Sequence, residues 1–114
     1  MRRNLIVAAV IAACLALPGI ADAMLYTVEA TSYCEHGLMA DGGQTKPGVA
    51  AVLPSGLPLG SKIKLTRKVF GRKTFFIRDH IDHGSQLDLW NSSCSKAVLF
   101  GRRNVTYRVI KRGK

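Results

Sequence analysis

Carboxylates are scarce in this sequence, and three of them lie within ten positions of one another. They are Asp79, Asp82 and Asp88, in a chain with only seven Asp and Glu residues and a formal net charge of +10 at pH 7. Two carboxylates held close together repel, so one of them keeps its proton to higher pH. A carboxylic acid that is still protonated near neutral pH is what general-acid cleavage of a glycosidic bond requires. This acidic segment is therefore the first candidate for a catalytic site.

Asp88 is the stronger candidate for the acid. Leu87 and Leu89 flank it in a predicted strand, and successive side chains of a strand point to opposite faces. If both leucines face the core, Asp88 lies on the accessible face, and Asp79 would orient it or raise its pKa. The alternative is structural, with the aspartates capping turns or pairing with nearby arginines. These arginines are Arg72, Arg78 and Arg102.

The same segment offers ligands for a metal ion, because His80, Asp82 and His83 accompany Asp79. His80 and His83 are three residues apart in a predicted loop, however, and no further His or Cys has the spacing of a metal motif. We therefore expect no metal and no other cofactor. A Ser/His/Asp triad can also be composed, but the sequence has no G-x-S-x-G nucleophile elbow.

Aromatic residues supply candidates for sugar binding. Tyr33, Trp90 and Tyr107 could each stack on a sugar ring, although aromatics in so small a domain are more often buried in the core. We take Tyr33 and Trp90, together with Asp82 and His83, as the candidate substrate-binding residues.

The first 23 residues have the composition of a secretory signal peptide. A positive start at Arg2 precedes an apolar run over residues 5–17 and a small-x-small motif at residues 21–23. The apolar run is too short to span a bilayer. We therefore expect cleavage after Ala23, no stable membrane anchor, and one secreted or periplasmic domain over residues 24–114.

The cysteines also favour an oxidising compartment. Cys34 and Cys94 remain after cleavage, and an even number of cysteines in a small exported domain predicts a disulfide. Closing so long a loop stabilises the fold by about 4 kcal/mol in the chain-entropy model. A catalytic or metal-binding cysteine is the alternative, but neither residue has a second Cys at ligand spacing. Cys14 allows a different interpretation of the leader, in which it ends a lipobox and anchors a lipoprotein.

The positive charge implies an anionic partner or surface. Nucleic acid is the usual first hypothesis for a basic domain, but export argues against it, and the interleaved aromatic and basic residues of single-strand binders are missing. We therefore expect the partner to be peptidoglycan or another anionic cell-wall polymer. Alternatively, the charge only keeps a secreted protein soluble.

The elements that must position these side chains are mostly strands. Alternating or continuous apolar stretches predict six of them, at residues 26–31, 48–53, 62–65, 74–78, 87–90 and 105–109. Short strands at this spacing indicate an all-β fold closed into a small barrel. The Gly-rich, polar residues 36–47 predict a long surface loop. We expect a single domain and a monomer.

One short helix is predicted near the C-terminus. Ser92 or Ser93 can cap its start, and Gly101 can end it. Its expected apolar side consists of Ala97, Val98 and Phe100.

The order of short motifs over residues 25–112 resembles the bacterial three-aspartate (3D) domain. The motifs are Thr31-Ser32-Tyr33-Cys34, Met39-Ala40-Asp41-Gly42, residues 48–54, residues 57–61, Asp79, Gly84-x-x-x-Asp88, Leu87-Asp88-Leu89-Trp90, and Cys94 with residues 97–109. Domains of this family resemble the catalytic part of MltA-type lytic transglycosylases and RlpA-like proteins. The resemblance implies a six-stranded double-psi β-barrel with one short helix, action on peptidoglycan glycan strands, and pairing of Cys34 with Cys94.

The sequence departs from the family pattern at two places. Leu53 stands where the family has the first of its three aspartates, and the segment from Asp79 to Gly84 is shorter than the usual Gly-rich stretch. The resemblance implies a lytic transglycosylase with Asp88 as its general acid and base. The two departures favour the alternative, a non-catalytic wall-binding module of the expansin type.

Overall fold

The protein is described by a computed structural model over residues 24–82 and 84–114. The predicted signal peptide, the lipobox alternative at Cys14 and the candidate His83 lie outside the described residues. Six strands and one helix follow one another along the chain. They are β1 (Tyr26–Tyr33), β2 (Val49–Val52), β3 (Lys62–Val69), β4 (Arg72–His80), β5 (Leu87–Trp90), α1 (Cys94–Phe100) and β6 (Arg103–Lys111).

The six strands close into a barrel in the order β1-β5-β2-β4-β3-β6. Two pairs, β1 with β5 and β2 with β4, are parallel, and the other four are antiparallel. Closure leaves no open edge at which another chain could add a strand. The predicted all-β class, a six-stranded barrel with one short helix, is confirmed, and this mixed, closed arrangement is consistent with a double-psi barrel.

Side chains that alternate along the strands fill the inside of the barrel. β2 is buried at all four of its positions, as its continuous apolar sequence predicts. The main core cluster takes large side chains from three other strands, and Phe100 of α1 closes one end. The largest of these strand side chains are Ile63, Leu65, Phe75, Ile77, Leu87 and Leu89.

The helix begins and ends where the sequence predicts. The Ser93 hydroxyl accepts a hydrogen bond from the Lys96 backbone amide, and Gly101 follows the last turn with a positive φ. Ala97 and Phe100 are buried, but Val98 is 78 % exposed, so its predicted place on the apolar side is wrong. Positions 97 and 100 share one helix face, whereas position 98 is rotated by roughly 100° from its neighbour. Within the described parts of the chain, no helix is long and apolar enough to cross a bilayer.

A disulfide joins Cys34, just after β1, to Cys94, the first residue of α1. The predicted pairing is therefore confirmed. The bond secures the helix to the barrel at the point where the chain leaves β1. Such a bond is compatible with a location outside the cytoplasm.

Candidate functional site

Four adjacent strands bring chemically different side chains into one row on the outside of the barrel. Ala51 of β2 lies opposite Asp79 of β4 on one side and opposite Asp88 of β5 on the other. Asp88 in turn lies opposite Thr31 of β1. The small side chain of Ala51 therefore separates the two carboxylates and leaves open space above it.

The side chains of residues 87–89 in β5 alternate between the core and the outer face, as predicted. Leu87 and Leu89 are buried in the core, whereas Asp88 between them is half-buried and points outward.

A β-bulge in β4 determines the direction of Asp79. Ile77 lies opposite Ala50, and the next matched pair is Asp79 with Ala51, which leaves Arg78 as the extra residue. Ile77 and Ala50 both face the core. Strict alternation after Ile77 would turn Asp79 toward the core as well. The extra residue brings Asp79 to the outer face. β-Bulges beside active sites commonly redirect a side chain in this way.

The two oxygens of Asp88 have different surroundings. Thr31 Oγ1 donates a hydrogen bond to Asp88 Oδ1 at 2.9 Å. Because the single proton of Thr31 goes to Asp88, the buried Ser85 hydroxyl, 2.6 Å from Thr31 Oγ1, donates its own proton to the threonine and orients it. Asp88 Oδ2 has no hydrogen-bond partner among the described residues. The side chain as a whole is half-buried, so the carboxyl keeps some contact with solvent.

Burial is the main influence on the protonation of Asp88. It raises the pKa of this carboxyl, the hydrogen bond from Thr31 acts in the opposite direction, and the charges of Glu35 and Asp79 raise the pKa further. The net direction is upward. Asp88 therefore holds its proton to higher pH than an ordinary aspartate, as a general acid must.

Asp79 connects β4 to the loop at residues 36–47. Its Oδ1 accepts hydrogen bonds from the backbone amides of Ala40 and His80, each at 2.9 Å. Its Oδ2 lies 3.4 Å from the hydroxyl of Tyr33, which donates to it. Burial, followed by the charges of Asp79 and Asp88, raises the pKa of Tyr33, so the phenol stays protonated. Asp79 thus has a structural task as well as a place in the site.

A groove of about 310 Å³ runs beside this row. Four of the six Asp and Glu residues in the stretch 24–114 line it, in a protein with a net charge of +10. These acids are Glu35, Asp79, Asp82 and Asp88, and His36 and His80 lie with them. The groove is therefore acidic within a strongly basic molecule.

The structure brings most of the predicted site residues together. Tyr33, Asp79, Asp82 and Asp88 all line the groove. Trp90 does not: it is 4 % exposed, and its indole Nε1 donates to the Glu35 carbonyl oxygen at 2.8 Å.

Trp90 packs beneath residues that line the groove. It packs with Met39, Val49 and Tyr33 in a second, smaller core cluster, and the His36 ring stands edge-on against it at 5.4 Å. The alternative given above for the aromatic residues, burial in the core, applies to this tryptophan.

The described residues form ion pairs elsewhere than in the acidic cluster. Arg78 pairs with Asp41, and Arg102 pairs with Glu29. No arginine in the described ranges is therefore bound to Asp79, Asp82 or Asp88, contrary to the ion-pair alternative. Likewise, residues 24–82 and 84–114 contain no group of three or more His, Cys, Asp or Glu side chains placed to hold a metal ion.

Three residues of the site were missed in the sequence. Thr31 shares a strand face with Tyr33, two positions further along β1, and this period is the signal that could have found it. Glu35 and His36 directly follow Cys34, whose disulfide holds this turn beside the groove. Only their proximity to the predicted disulfide could have suggested them.

Comparison with known proteins adds no assignment to this groove. No protein-family model matches the chain, and no curated protein matches it significantly. The chemistry of the site is therefore inferred from its own residues.

Proposed function

We propose that this chain is an exported protein that acts on peptidoglycan, and that its acidic groove is the site of a lytic transglycosylase. The observation that carries the proposal is the state of Asp88. Thr31 donates a hydrogen bond to one of its oxygens, the side chain lines the groove, and burial raises its pKa. One half-buried carboxyl that can both give and take a proton is sufficient for this reaction.

In the first step, Asp88 donates its proton to the glycosidic oxygen that is bonded to C1 of a muramic acid residue. The bond from C1 to that oxygen breaks, and C1 develops oxocarbenium character. The free Asp88 carboxylate remains next to the positive centre. The hydrogen bond from Thr31 stabilises this charged form.

In the second step, the same carboxylate accepts the proton of the C6 hydroxyl of that sugar. The C6 oxygen bonds to C1, which yields a 1,6-anhydro product and returns Asp88 to its protonated form. No water is consumed and no second catalytic carboxylate is needed, unlike the paired carboxylates of ordinary glycosidases. Asp79 acts as a positioning residue, because its charge raises the pKa of Asp88 and its hydrogen bonds hold the loop over the groove.

Two further features support the proposal. The ordered motifs of the chain resemble the 3D domain and its MltA-type and RlpA-like relatives, for which a six-stranded barrel and the Cys34–Cys94 pairing are expected. The predicted signal peptide and the disulfide both favour a location outside the cytoplasm.

A non-catalytic wall-binding module of the expansin type is the second candidate. Leu53 in place of an aspartate and the shortened segment after Asp79 favour it. Such a module would use the same groove to hold a glycan strand without cleaving it.

Digestion of purified peptidoglycan separates the two candidates. We expect the wild-type protein to release anhydro-muropeptides, detected by mass spectrometry, and Asp88→Asn to release none. The asparagine oxygen can still accept from Thr31, so the variant should fold. Glu29→Gln, which removes an acid paired with Arg102 outside the groove, is the matched control and should keep full activity. If the wild type releases no anhydro-muropeptides but still sediments with the wall, the expansin-like candidate replaces the enzyme.

A further inference from the structure

A second surface of the barrel has the opposite charge to the groove. β3 and β6 together contain seven Lys and Arg residues and no Asp or Glu. Ile63, Leu65 and Val109 point inward, so Lys62, Lys64 and Arg108, which alternate with them, point outward. A register shift leaves Ile110 as an extra residue of β6 and brings Lys111 opposite Lys62, on the same outer face. We call this outer surface of β4, β3 and β6 the basic face, and it consists of Lys62, Lys64, Phe76, Arg108 and Lys111.

The strand register places like charges directly opposite each other on the basic face. Lys64 of β3 lies opposite Arg108 of β6, and Lys62 lies opposite Lys111. Like charges directly opposite in an antiparallel pair destabilise it. The inward-facing pair of Ile63 and Val109, next to a register shift in β6, lies between these two like-charge pairs.

No acidic side chain of the described residues offsets this repulsion. The two ion pairs there involve Arg78 and Arg102, neither of which belongs to the basic face. Four of the six acids available after residue 23 are in the groove. The described residues therefore supply no paired counter-charge to the basic face, which leaves this role to salt or a bound anion.

The arrangement fits a chain of anions better than a single one. Neighbouring strands are about 5 Å apart, and Lys62 and Lys64, two positions apart in β3, are separated by about 7 Å. The two like-charge pairs therefore form two rows across the sheet. Three of the four are lysines, which bind phosphate as flexible point charges, whereas arginine is favoured where a carboxylate or a phosphate is bound in fixed bidentate geometry. A polymer with one phosphate in each short repeat can place successive anions over successive rows.

We propose that the basic face binds a linear phosphodiester polymer of the cell wall, for which poly(glycerol phosphate) is the probe. The proposal does not involve Asp88 or the groove, and it shares with the proposed function only the cell-wall location. Nucleic acid carries the same phosphodiester, but single-strand binders present a series of aromatic platforms. Here Phe76, 44 % exposed, is the aromatic residue of the basic face, and the Lys62 ammonium covers its ring at 5.4 Å from the centroid.

The test measures binding of the full chain to poly(glycerol phosphate) by calorimetry at several salt concentrations. The double variant Lys64→Gln/Arg108→Gln should bind at least tenfold more weakly than the wild type, and its affinity should fall less steeply with salt. The matched control Arg67→Gln/Lys96→Gln removes one Lys and one Arg from exposed positions outside the basic face and should lose less than threefold. Asp88→Asn should bind as the wild type does, so that failure of the catalytic proposal leaves this one intact.

A second measurement keeps the test independent of folding defects. Removing one like-charge pair should leave the Tm of Lys64→Gln/Arg108→Gln equal to or above that of the wild type at low salt. The proposal is overturned if the control variant loses as much affinity as the basic-face variant, or if the wild type does not bind the polymer at all. Tighter binding to a single-stranded oligonucleotide of equal charge would replace the wall polymer with nucleic acid as the partner.

Discussion

The protonation of Asp88 depends on a balance between burial and one threonine. Burial raises the pKa of the carboxyl, Thr31 lowers it through a hydrogen bond, and two nearby acids raise it again. Because the net pKa in the folded protein lies above that of an ordinary aspartate, ionisation of Asp88 lowers the free energy of unfolding as pH rises through the folded pKa. The same burial that keeps Asp88 protonated to higher pH therefore lowers the free energy of unfolding once the carboxyl is ionised.

Replacing Thr31 should shift this balance in a known direction. Thr31→Val keeps the shape of the side chain but removes the donor that favours the carboxylate, so the pKa of Asp88 should rise. Thr31→Ser keeps the hydroxyl and should leave the pKa close to that of the wild type. Carbon-13 NMR titration of the Asp88 carboxyl measures this directly, without any need for activity. An unchanged or lower pKa in Thr31→Val would show that the hydrogen bond does not control this group.

If the groove is catalytic, the same variant carries a kinetic signature. The loss of activity at high pH reports deprotonation of the acid. The pH at which activity is lost should be higher in Thr31→Val, by the same amount as the pKa of Asp88 measured by NMR. It should be unchanged in Thr31→Ser.

At the scale of elements, the bulge in β4 and the loop at residues 36–47 depend on each other. The bulge turns Asp79 outward, and Asp79 then accepts from the Ala40 amide of the loop. Arg78, the extra residue of the bulge, pairs with Asp41 in the same loop. One irregularity in a strand thus orients a carboxylate and attaches one wall of the groove.

Asp79→Ala should loosen this attachment while the barrel remains closed. We expect the free energy of unfolding to fall by about 1–2 kcal/mol, because hydrogen bonds to a charged acceptor are lost. Amide exchange at Ala40 should accelerate, and the pKa of Asp88 should fall, because a neighbouring negative charge is gone. Urea unfolding and hydrogen-exchange NMR measure these effects.

Asp82→Ala is the control for this prediction. It removes an exposed acid from the same groove and should change stability by less than about 0.5 kcal/mol, as surface substitutions usually do. Equal destabilisation by the two variants would mean that Asp79 does not anchor the loop.

At the scale of the whole molecule, the charges are divided between two surfaces. Four of the six acids after residue 23 line the groove, and the only charged residues of the basic face are lysine and arginine. A closed barrel in so small a domain has only a modest core, so covalent closure is expected to contribute much of its stability. The disulfide provides this closure across 60 residues of the sequence.

Removing the disulfide should therefore have a large effect. Cys34→Ser/Cys94→Ser should lose about 4 kcal/mol of unfolding free energy in the chain-entropy model, a large part of the stability of a small domain. Urea unfolding of the variant, compared with the wild type under reducing and oxidising conditions, gives the value. The reduced wild type should match the variant. A loss below about 1 kcal/mol would show that the barrel is stable without the bond.

The local pattern of the sequence determined much of this fold. Alternating or continuous apolar stretches located all six strands, although β1, β3, β4 and β6 extend beyond the predicted segments and β2 is one residue shorter at each end. The flanking leucines correctly put Asp88 on the outer face. Capping residues located α1, and the count of cysteines predicted the bond between Cys34 and Cys94. The strands, the face of Asp88 and the helix depend on near neighbours in the chain, which a sequence displays directly. The bond could be predicted because only two cysteines follow residue 23.

Only the tertiary structure decided the composition of the site. The outward turn of Asp79 depends on a bulge that strand pairing creates, the burial of Trp90 depends on Met39 of a distant loop, and the like-charge pairs of the basic face depend on the register of β3 with β6. Each of these results from which strands meet when the barrel closes. A period of two along one strand carries no information about its partners, so the groove and the basic face become visible only when all six strands are in place.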